Sequence, residues 1–420
     1  MNENQNIMGT MPIRRLLITM SWPIMISMFI QALYNMVDSI CVSHVSEKDF
    51  LALSLAYPVQ MLMIAVCVGT GVGFAAVLAR KLGEKKEEEA VQVACHGYLL
   101  YLITWLAFVV LILLSVKPFF AAFTDDPEVA LAGVQYLTIC GVFSFGMCFQ
   151  FVAERILQAC GHPMQYMLVQ GVGALLNIIL DPIFVFGFGM GVVGAGIATV
   201  IGQVAAGVLF LAYLPRLHTV RLRRQALRPT IRLTGRILAL GVPSLLTQIL
   251  TALVQITLNN LLRVHGAASV YGSDIALSVY GMMMKVYQIA HSMFVGVSSA
   301  VQPINGYNFG AKHFLRVRQT FRTAAAIALV ISGVWFLVFQ LFPRQIGMLF
   351  VSDSPLYLDC AQHCFRLYMA AFFLYGLHLA TASFFQGIGR PVPSLAIPLA
   401  RQGVFLIPLA ILLSGRFGLD

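Results

Sequence analysis

Two aspartates inside apolar stretches of the chain carry the first chemical signal. Of the seventeen acidic residues, nearly all lie in polar loops or at the ends of apolar stretches, whereas Asp38 and Asp181 lie inside them. A carboxylate within a membrane helix is costly and usually functional. Asn35 precedes Asp38 by three residues and Asn177 precedes Asp181 by four, so each amide shares a helical face with its carboxylate. With Thr199, these groups lie about 8–9 Å below the same membrane surface, judged from the helical rise. An oxygen-rich pocket of this kind suits Na⁺ or a shared proton.

Pro182, directly after Asp181, adds a structural expectation. Proline has no N–H, so the carbonyl of Ile178 loses its helical partner and the helix is expected to kink. A freed carbonyl beside a carboxylate is a plausible cation ligand, and two close carboxylates raise each other's proton affinity. The alternative is that each aspartate only makes hydrogen bonds near a membrane interface.

The apolar stretches of the second half carry positive charge instead. Lys285 and Arg401 lie within them, together with the polar His291 and His378. Gln248, Gln255 and Asn259 form one stripe of the seventh stretch. Such groups either line a substrate cavity or hold the helices together by hydrogen bonds. The candidate cavity residues are Gln31, Tyr34, Gln248, Gln255, Asn259, Lys285 and Arg401.

The elements that position these residues are membrane-spanning helices. Of the 420 residues, 59% are hydrophobic and only 10% are charged, and the mean hydropathy is +0.84. Soluble domains carry about 25% charged residues, so a soluble globular protein is excluded. Apolar stretches long enough to cross a bilayer recur along the chain. There are eleven, at roughly 16–43, 51–79, 93–116, 131–154, 164–186, 193–214, 237–262, 275–301, 320–342, 357–384 and 393–413.

The net charge of +10 reports topology and not a nucleic-acid partner. Lys and Arg collect in alternate loops, which is the bias of cytoplasmic loops and predicts a cytoplasmic N-terminus in a multi-pass protein of the cell membrane. The basic loops contain Arg14 and Arg15; Arg80, Lys81, Lys85 and Lys86; Arg155; the arginines of 216–236; Lys312, Arg316, Arg318 and Arg322; and Arg390. The eight cysteines show no spacing typical of a metal site.

A weak internal repeat divides the chain. Pro23 corresponds to Pro243, and the run Gln158-Ala-Cys-Gly161-His-Pro163 corresponds to Gln386-Gly-Ile-Gly389-Arg-Pro391. The turn Lys81–Lys85 corresponds to Asn308–Lys312. The predicted domains are an N-terminal lobe with the cation site (1–215), a basic cytoplasmic linker (216–236) and a C-terminal lobe (237–420). The repeat calls for six helices in each lobe, so the twelfth is absent from this sequence, which we interpret as truncated.

These motifs resemble the multidrug and toxic compound extrusion (MATE) transporters along essentially the whole chain. The resemblance is carried by Tyr34-Asn-Met-Val-Asp38, Arg80-Lys-Leu-Gly83, Asn177-Ile-Ile-Leu-Asp181-Pro182-Ile-Phe184, Gly194-Ala-Gly-Ile-Ala-Thr199, Gln302-Pro303, Gly306-Tyr-Asn-Phe-Gly-Ala-Lys312 and Gln386-Gly-Ile-Gly389. The resemblance implies an all-α protein of twelve helices in two six-helix lobes that form a V. It also implies a cation site at Asp38, Asn177, Asp181 and Thr199, where Na⁺ is a possible ligand. A fourth-helix amide completes that site in the family, and Gln150 is the nearest candidate.

The predicted function is export of small organic compounds, expected to be cationic and amphipathic, in antiport against inward Na⁺ or H⁺. The only cofactor expected is this coupling ion, and the protein is expected to be a monomer whose partners are drugs or toxins and the lipid bilayer. The alternative is a flippase for lipid-linked oligosaccharides, in which the basic residues of the second half hold a diphosphate. A membrane enzyme is disfavoured because the sequence shows no clustered Asp motif and no nucleophile–base pair. A channel is disfavoured because nothing indicates a symmetric pore.

Overall fold

The structure is a computed structural model, and it describes residues 7–43, 46–217, 230–351 and 354–417. The described residues are almost entirely helical, as the sequence predicts. In chain order the helices are α1 (Ile7–Thr10), α2 (Ile13–Ser43), α3 (Glu47–Gly83), α4 (Glu87–Phe123), α5 (Pro127–Val142), α6 (Phe145–Ala159), α7 (Pro163–Pro182), α8 (Gly191–Tyr213), α9 (Ile231–Ala267), α10 (Gly272–Gly310), α11 (Phe314–Leu341), α12 (Pro343–Met348), α13 (Pro355–Tyr368), α14 (Tyr375–Gly387), α15 (Pro391–Pro398) and α16 (Ile407–Phe417).

These helices match the predicted membrane spans in order. In the described residues, eight helical units are long and apolar enough to cross a membrane, and ten are counted when each of two bent pairs is one span. The bent pairs are α5 with α6, at 44°, and α13 with α14, at 46°. The 39-residue α10 corresponds to the remaining predicted span. The expectation of a polytopic all-α membrane protein is confirmed.

Two of the spans contain π-helical turns. After Pro182, α7 continues as the π-helical segment Ile183–Gly187. After Pro398, α15 continues as the π-helical segment Leu399–Leu406, which leads into α16. A proline leaves one carbonyl of the preceding turn without its usual donor, and a wider turn is one way to accommodate this. The kink expected at Pro182 therefore takes the form of a change in helix type.

The two halves share backbone features at positions that the repeat aligns. Gly161 and Gly389 both have φ of +80°, and Lys85 and Lys312 have φ of +55° and +61°. The aligned prolines inside α2 and α9 are also alike. The hydroxyl of Ser27 donates to the carbonyl of Pro23 at 2.8 Å, and that of Thr247 donates to the carbonyl of Pro243 at 2.7 Å.

The buried apolar side chains also form separate clusters, one mainly in each half. One cluster of buried side chains draws on residues between Ile24 and Leu240, and another on residues between Val279 and Tyr375. A third cluster joins α1 and the start of α2 to α10 and α11. The exact lobe boundaries remain a prediction, and residues 218–229 of the predicted linker lie outside the described residues.

The halves approach each other most closely through glycine. We call this contact the glycine seam. A Cβ at Gly73 would overlap the carbonyl of Ile237, one at Gly83 that of Tyr307, and one at Gly241 that of Gly69. Backbones come this close only where no side chain intervenes. The seam runs along α3, α9 and α10 toward the end of the bundle that carries the basic loops at 84–86 and 311–313, which we call the basic end.

Hydrogen bonds between the halves lie in the same region. The amide of Gln158 donates to the carbonyl of Ser299 at 2.5 Å, and that of Gln302 donates to the carbonyl of Val72 at 2.7 Å. Arg316 donates to the carbonyl of Met11 at 2.8 Å. These bonds join the halves on the side of the basic end.

Candidate functional site

Asn177, Asp181 and Thr199 meet at the contact between α7 and α8. A Cβ at Gly202 would lie 2.6 Å from the carbonyl oxygen of Gly173, so these two glycines let the helices touch. Asp181 is fully buried, and Asn177 is only 2% exposed. The i, i+4 spacing that the sequence shows places both side chains on the face of α7 that contacts α8.

The amide of Asn177 links the other two members of this cluster. Its orientation is assigned from its neighbours: the nitrogen donates to Oδ2 of Asp181 at 2.8 Å, and the oxygen accepts from the Thr199 hydroxyl at 3.1 Å and from the Thr199 N–H at 3.0 Å. The carboxylate, amide and hydroxyl predicted to act together thus form one hydrogen-bonded chain. Their oxygens are the ligand type that Na⁺ prefers, and the buried carboxylate is a group that can hold a proton.

The remaining predicted members of the cation site have different positions. The backbone of Asp38 belongs to α2, but its side chain lies outside the described residues, so its approach to Asp181 stays a prediction. Asn35 is exposed on α2. The structure pairs Gln150 with another residue, since its amide donates to Oε1 of Glu154 at 2.8 Å. A role for Gln150 as a cation ligand therefore remains a prediction.

Glu154 is a buried acid that the sequence reasoning missed. It is 4% exposed and lies in α6. The predicted fourth span ends at residue 154, which places Glu154 at a membrane surface. In the structure the span is broken between α5 and α6, and α6 continues five residues past Glu154 to Ala159. Glu154 therefore lies inside the helix and not at its end. The i, i+4 spacing of Gln150 and Glu154 in an apolar segment was the available signal.

Three candidate cavity residues of α9 point along one line. Gln248, Gln255 and Asn259 are exposed. At about 100° per residue, they lie within about 40° of Gly241, which contacts α3 in the glycine seam. The stripe therefore continues the face of α9 that looks toward the first half, beyond the point where the halves touch.

Lys285 has the equivalent place on α10. It precedes Gly296 by eleven residues, which is three turns and about 20° on a helix. Gly296 packs on Met25 of α2. Lys285 is exposed, so it faces the gap between the halves above this contact.

The candidates of α2 are placed differently. Gln31 and Tyr34 are half-buried. Tyr34 follows Met25 by nine residues, which is half a turn around the helix, so it does not share the face that contacts α10. The geometry thus favours the α9 and α10 candidates as lining residues of the gap.

The described residues contain no cluster of side chains typical of a metal site. Among the described residues, no three His, Cys, Asp or Glu side chains are grouped so that they could hold a metal ion. The cysteines described are all free thiols, and they are buried or half-buried. A Na⁺ ion would depend on amide, hydroxyl and carbonyl oxygens in addition to Asp181.

Comparison with known proteins identifies the family. The model of the MatE family matches residues 23–183 and, separately, residues 243–412. The chain belongs to the MatE family. The two matches cover both halves of the internal repeat, and they make the protein a multi-pass membrane transporter and not an enzyme.

Relatives of known name and structure agree with this assignment. The multidrug export protein MepA of Staphylococcus aureus (strain N315) is 25% identical over 97% of this chain and 89% of that protein. The outward-facing conformation of a multidrug resistance MATE family transporter superposes with a TM-score of 0.92 at 26% identity, over 99% of this chain and 92% of that one. A transporter of the MOP superfamily from Pyrococcus furiosus, described by the reverse polarity of its binding pocket, superposes with a TM-score of 0.90 at 25% identity, over 98% and 91% of the two chains.

Proposed function

We propose that this MatE-family transporter exports small organic compounds in antiport against inward Na⁺ or H⁺. The observation that carries the proposal is the buried chain of Asp181, Asn177 and Thr199 beside the π-helical turn after Pro182. A buried carboxylate inside a membrane helix is a group that binds and releases a cation. The names of the relatives, which are multidrug exporters, support drug-like compounds as substrates.

The contact between the halves indicates to which side of the membrane this state opens. The positive-inside rule assigns the basic end to the cytoplasm. Because the glycine seam lies at that end, the gap between the halves opens to the outside in this state. Asp181 and Asp38 then take up the cation from outside, and the helices around Pro182 rearrange and weaken the binding of the compound.

Coupling requires that the cation and the compound prefer different states of the transporter. A ligand shifts a conformational equilibrium only by the difference in its affinity for the two states. Release of the compound outward leaves the N-terminal lobe loaded with the cation, and opening at the basic end releases that cation into the cytoplasm. The predicted substrate is amphipathic and cationic.

The test is efflux of a fluorescent organic cation from proteoliposomes under an imposed Na⁺ or proton gradient. Asp38→Asn and Asp181→Asn should each reduce gradient-driven efflux about tenfold or more, since both remove the titratable group. Asp125→Asn is the matched control, because Asp125 is an exposed loop residue. Normal pumping by Asp181→Asn under both gradients would exclude the cation site described here.

A lipid flippase is the second candidate, and Lys285 and Arg401 favour it because a diphosphate needs cations. Such an activity would move an anionic lipid without dependence on Asp38 or Asp181. Transport of a fluorescent lipid phosphate by both Asp→Asn variants at the rate of the original protein would support the flippase and exclude the antiporter.

A further inference from the structure

A buried cluster in the second half combines two histidines, two tyrosines and an arginine. We call it the basic cluster. The hydroxyl of Tyr287 donates to that of Tyr375 at 2.6 Å, and the Tyr375 hydroxyl lies 2.8 Å from Nδ1 of His291. The guanidinium carbon of Arg401 lies 5.0 Å from the centre of the Tyr375 ring. His378, one turn after Tyr375 on α14, completes the cluster, and its ring centre lies 6.2 Å from that of Tyr375.

Several polar atoms of the basic cluster have no partner. Both ring nitrogens of His378 and the Nε of Arg401 are buried and make no hydrogen bond within the described chain. A buried polar atom left unpaired costs about 1–3 kcal/mol. Unpaired groups of this kind in a folded protein call for an explanation such as a ligand, an ion or a water molecule.

Among the described residues, no carboxylate forms an ion pair with Arg401. The sequence from 231 onward contains four aspartates and no glutamate: Asp274, Asp353, Asp359 and Asp420. Asp274 lies in the first turn of α10, Asp359 is the fifth residue of α13, and the other two lie outside the described residues. Arg401 lies instead in the π-helical segment of the last predicted span. An arginine at such depth is stabilised by an oxygen-bearing anion, which accepts its N–H groups directly.

The cluster lies beyond the close contact between the halves, farther from the basic end. His291 precedes Gly296 by five residues, which places it about 8 Å along α10 and about 140° around the helix from the face that contacts Met25 of α2. Arg401, His378 and His291 are each partly exposed, so the space around them is not sealed. Lys285 lies on the same helix as His291, about 9 Å farther out and about 120° around it.

We propose that the basic cluster binds an acidic group of the exported compound. The site takes a carboxylate, to which Arg401 and His378 donate their unpaired N–H groups. The substrate class is then an organic zwitterion or anion, which narrows the expectation of a purely cationic substrate. This inference rests on the proposed export function, because it assigns the cluster to the substrate of that process.

The test uses two dyes that differ in one carboxylate. Rhodamine B carries a free carboxylate, and its ethyl ester carries none. Fluorescence anisotropy of the purified protein in detergent should give about tenfold tighter binding of rhodamine B than of the ester. Arg401→Gln should remove this preference and leave ester binding within about twofold, and Arg401→Lys should retain part of it. Arg416→Gln, at an exposed position near the end of α16, is the control and should change neither affinity.

A second variant keeps the test decisive if Arg401→Gln fails to fold. His378→Phe removes the two unpartnered nitrogens and keeps a ring in their place, so the melting temperature without dye should not fall. The stabilisation that rhodamine B gives to the original protein should be lost in this variant. Equal binding of both dyes by the original protein, or a preference retained in Arg401→Gln and His378→Phe, would overturn the proposal.

The experiments distinguish failure of the carboxylate site from failure of the antiport function. Rhodamine B binding without gradient-driven efflux would contradict the antiport function and leave the carboxylate site in place. Asp125→Asn, at an exposed loop position in the other half, should bind rhodamine B normally. Displacement of the dye by phosphatidic acid at lower concentration than by unlabelled aromatic carboxylate would overturn the assignment in favour of a lipid phosphate.

Discussion

At the scale of single residues, the side chain of Asn177 controls the candidate cation site. Its nitrogen faces the carboxylate of Asp181 and its oxygen faces Thr199, so one amide fixes the position of both. A cation that binds Asp181 competes with the amide N–H for the same carboxylate oxygen. The amide then either moves or turns its oxygen to the ion, and Thr199 responds because it is bonded to that oxygen.

Removing the hydroxyl of Thr199 should therefore weaken cation binding. Thr199→Val keeps the shape and loses a hydrogen bond worth about 1 kcal/mol, which corresponds to roughly a fivefold to tenfold higher half-saturating cation concentration. The measurement is gradient-driven efflux as a function of Na⁺ or pH. Thr199→Ser retains the hydroxyl and serves as the control; identical curves for the two variants would show that the hydroxyl takes no part.

Gln150 and Glu154 form a separate buried pair. Gln150→Leu leaves the Glu154 carboxyl without its amide donor, so stability should fall by about 1–3 kcal/mol, with the cation dependence of transport unchanged. The double variant Gln150→Leu with Glu154→Leu should recover most of the loss, because both polar groups are then gone. A raised cation requirement at unchanged melting temperature would instead place Gln150 in the cation site.

The sequence alone was sufficient to predict that Asn177, Asp181 and Thr199 lie together, because spacing along single helices indicates their faces and depths. Helical periodicity puts residues 177 and 181 on one face, and the depth of Thr199 follows from the same rise per residue. Glu154 was missed because its depth depends on the break at residues 143–144, which hydrophobicity does not show. The unpartnered nitrogens of His378 depend on contacts between distant helices and have no local signal.

At the scale of elements, the turns at the basic end carry the repeat most clearly. Gly161 and Gly389 adopt the same left-handed conformation 228 positions apart. The turn after α3 adds charge pairs: burial raises the pKa of Glu84, but hydrogen bonds from Lys81 and Arg80 outweigh this and hold the pKa below its usual value. The Lys81 and Arg80 nitrogens lie 2.9 Å and 3.1 Å from the Glu84 carboxylate oxygens.

Gly389→Ala should destabilise the protein by about 1–2 kcal/mol, because an L-residue pays that cost in the left-handed region. Gly333→Ala is the matched control. Gly333 lies inside α11 with no atom near the position of a Cβ, so alanine there should be neutral or stabilising by up to about 1 kcal/mol. The comparison is made by thermal unfolding in detergent. A loss of similar size in both variants would show that the φ of Gly389 is not the cause.

Apolar length was sufficient to predict which segments are spans, but it did not predict their internal geometry. The bends between α5 and α6 and between α13 and α14 each fall inside one predicted span, 131–154 and 357–384, whose length alone does not reveal them. The π-helical turns follow prolines, yet Pro23 and Pro243 remain within α-helices. Whether a proline is followed by a π-helical turn depends on the neighbouring helices and on hydroxyls such as those of Ser27 and Thr247. The sequence alone does not show which of these influences is stronger.

At the scale of the whole molecule, the closed basic end depends on glycine. Gly241→Val would place side-chain atoms in the carbonyl group of Gly69, so the halves should separate at that end. The distance between spin labels at the exposed residues Glu87, which begins α4, and His313, in the loop before α11, should increase relative to the original protein. Gly333→Val should leave this distance unchanged, and an unaltered distance in Gly241→Val would show that the seam tolerates a side chain.

The glycine seam also affects which mutations the gene can tolerate. Every amino-acid change that a single base substitution makes in a glycine codon, at its first or second base, adds a side chain. Each seam codon is thus a position where one nucleotide change keeps the basic end from closing. A population exposed to a toxic compound that this transporter removes should therefore show few substitutions at Gly73, Gly83 and Gly241, and many at Gly333, where the space around the helix is empty.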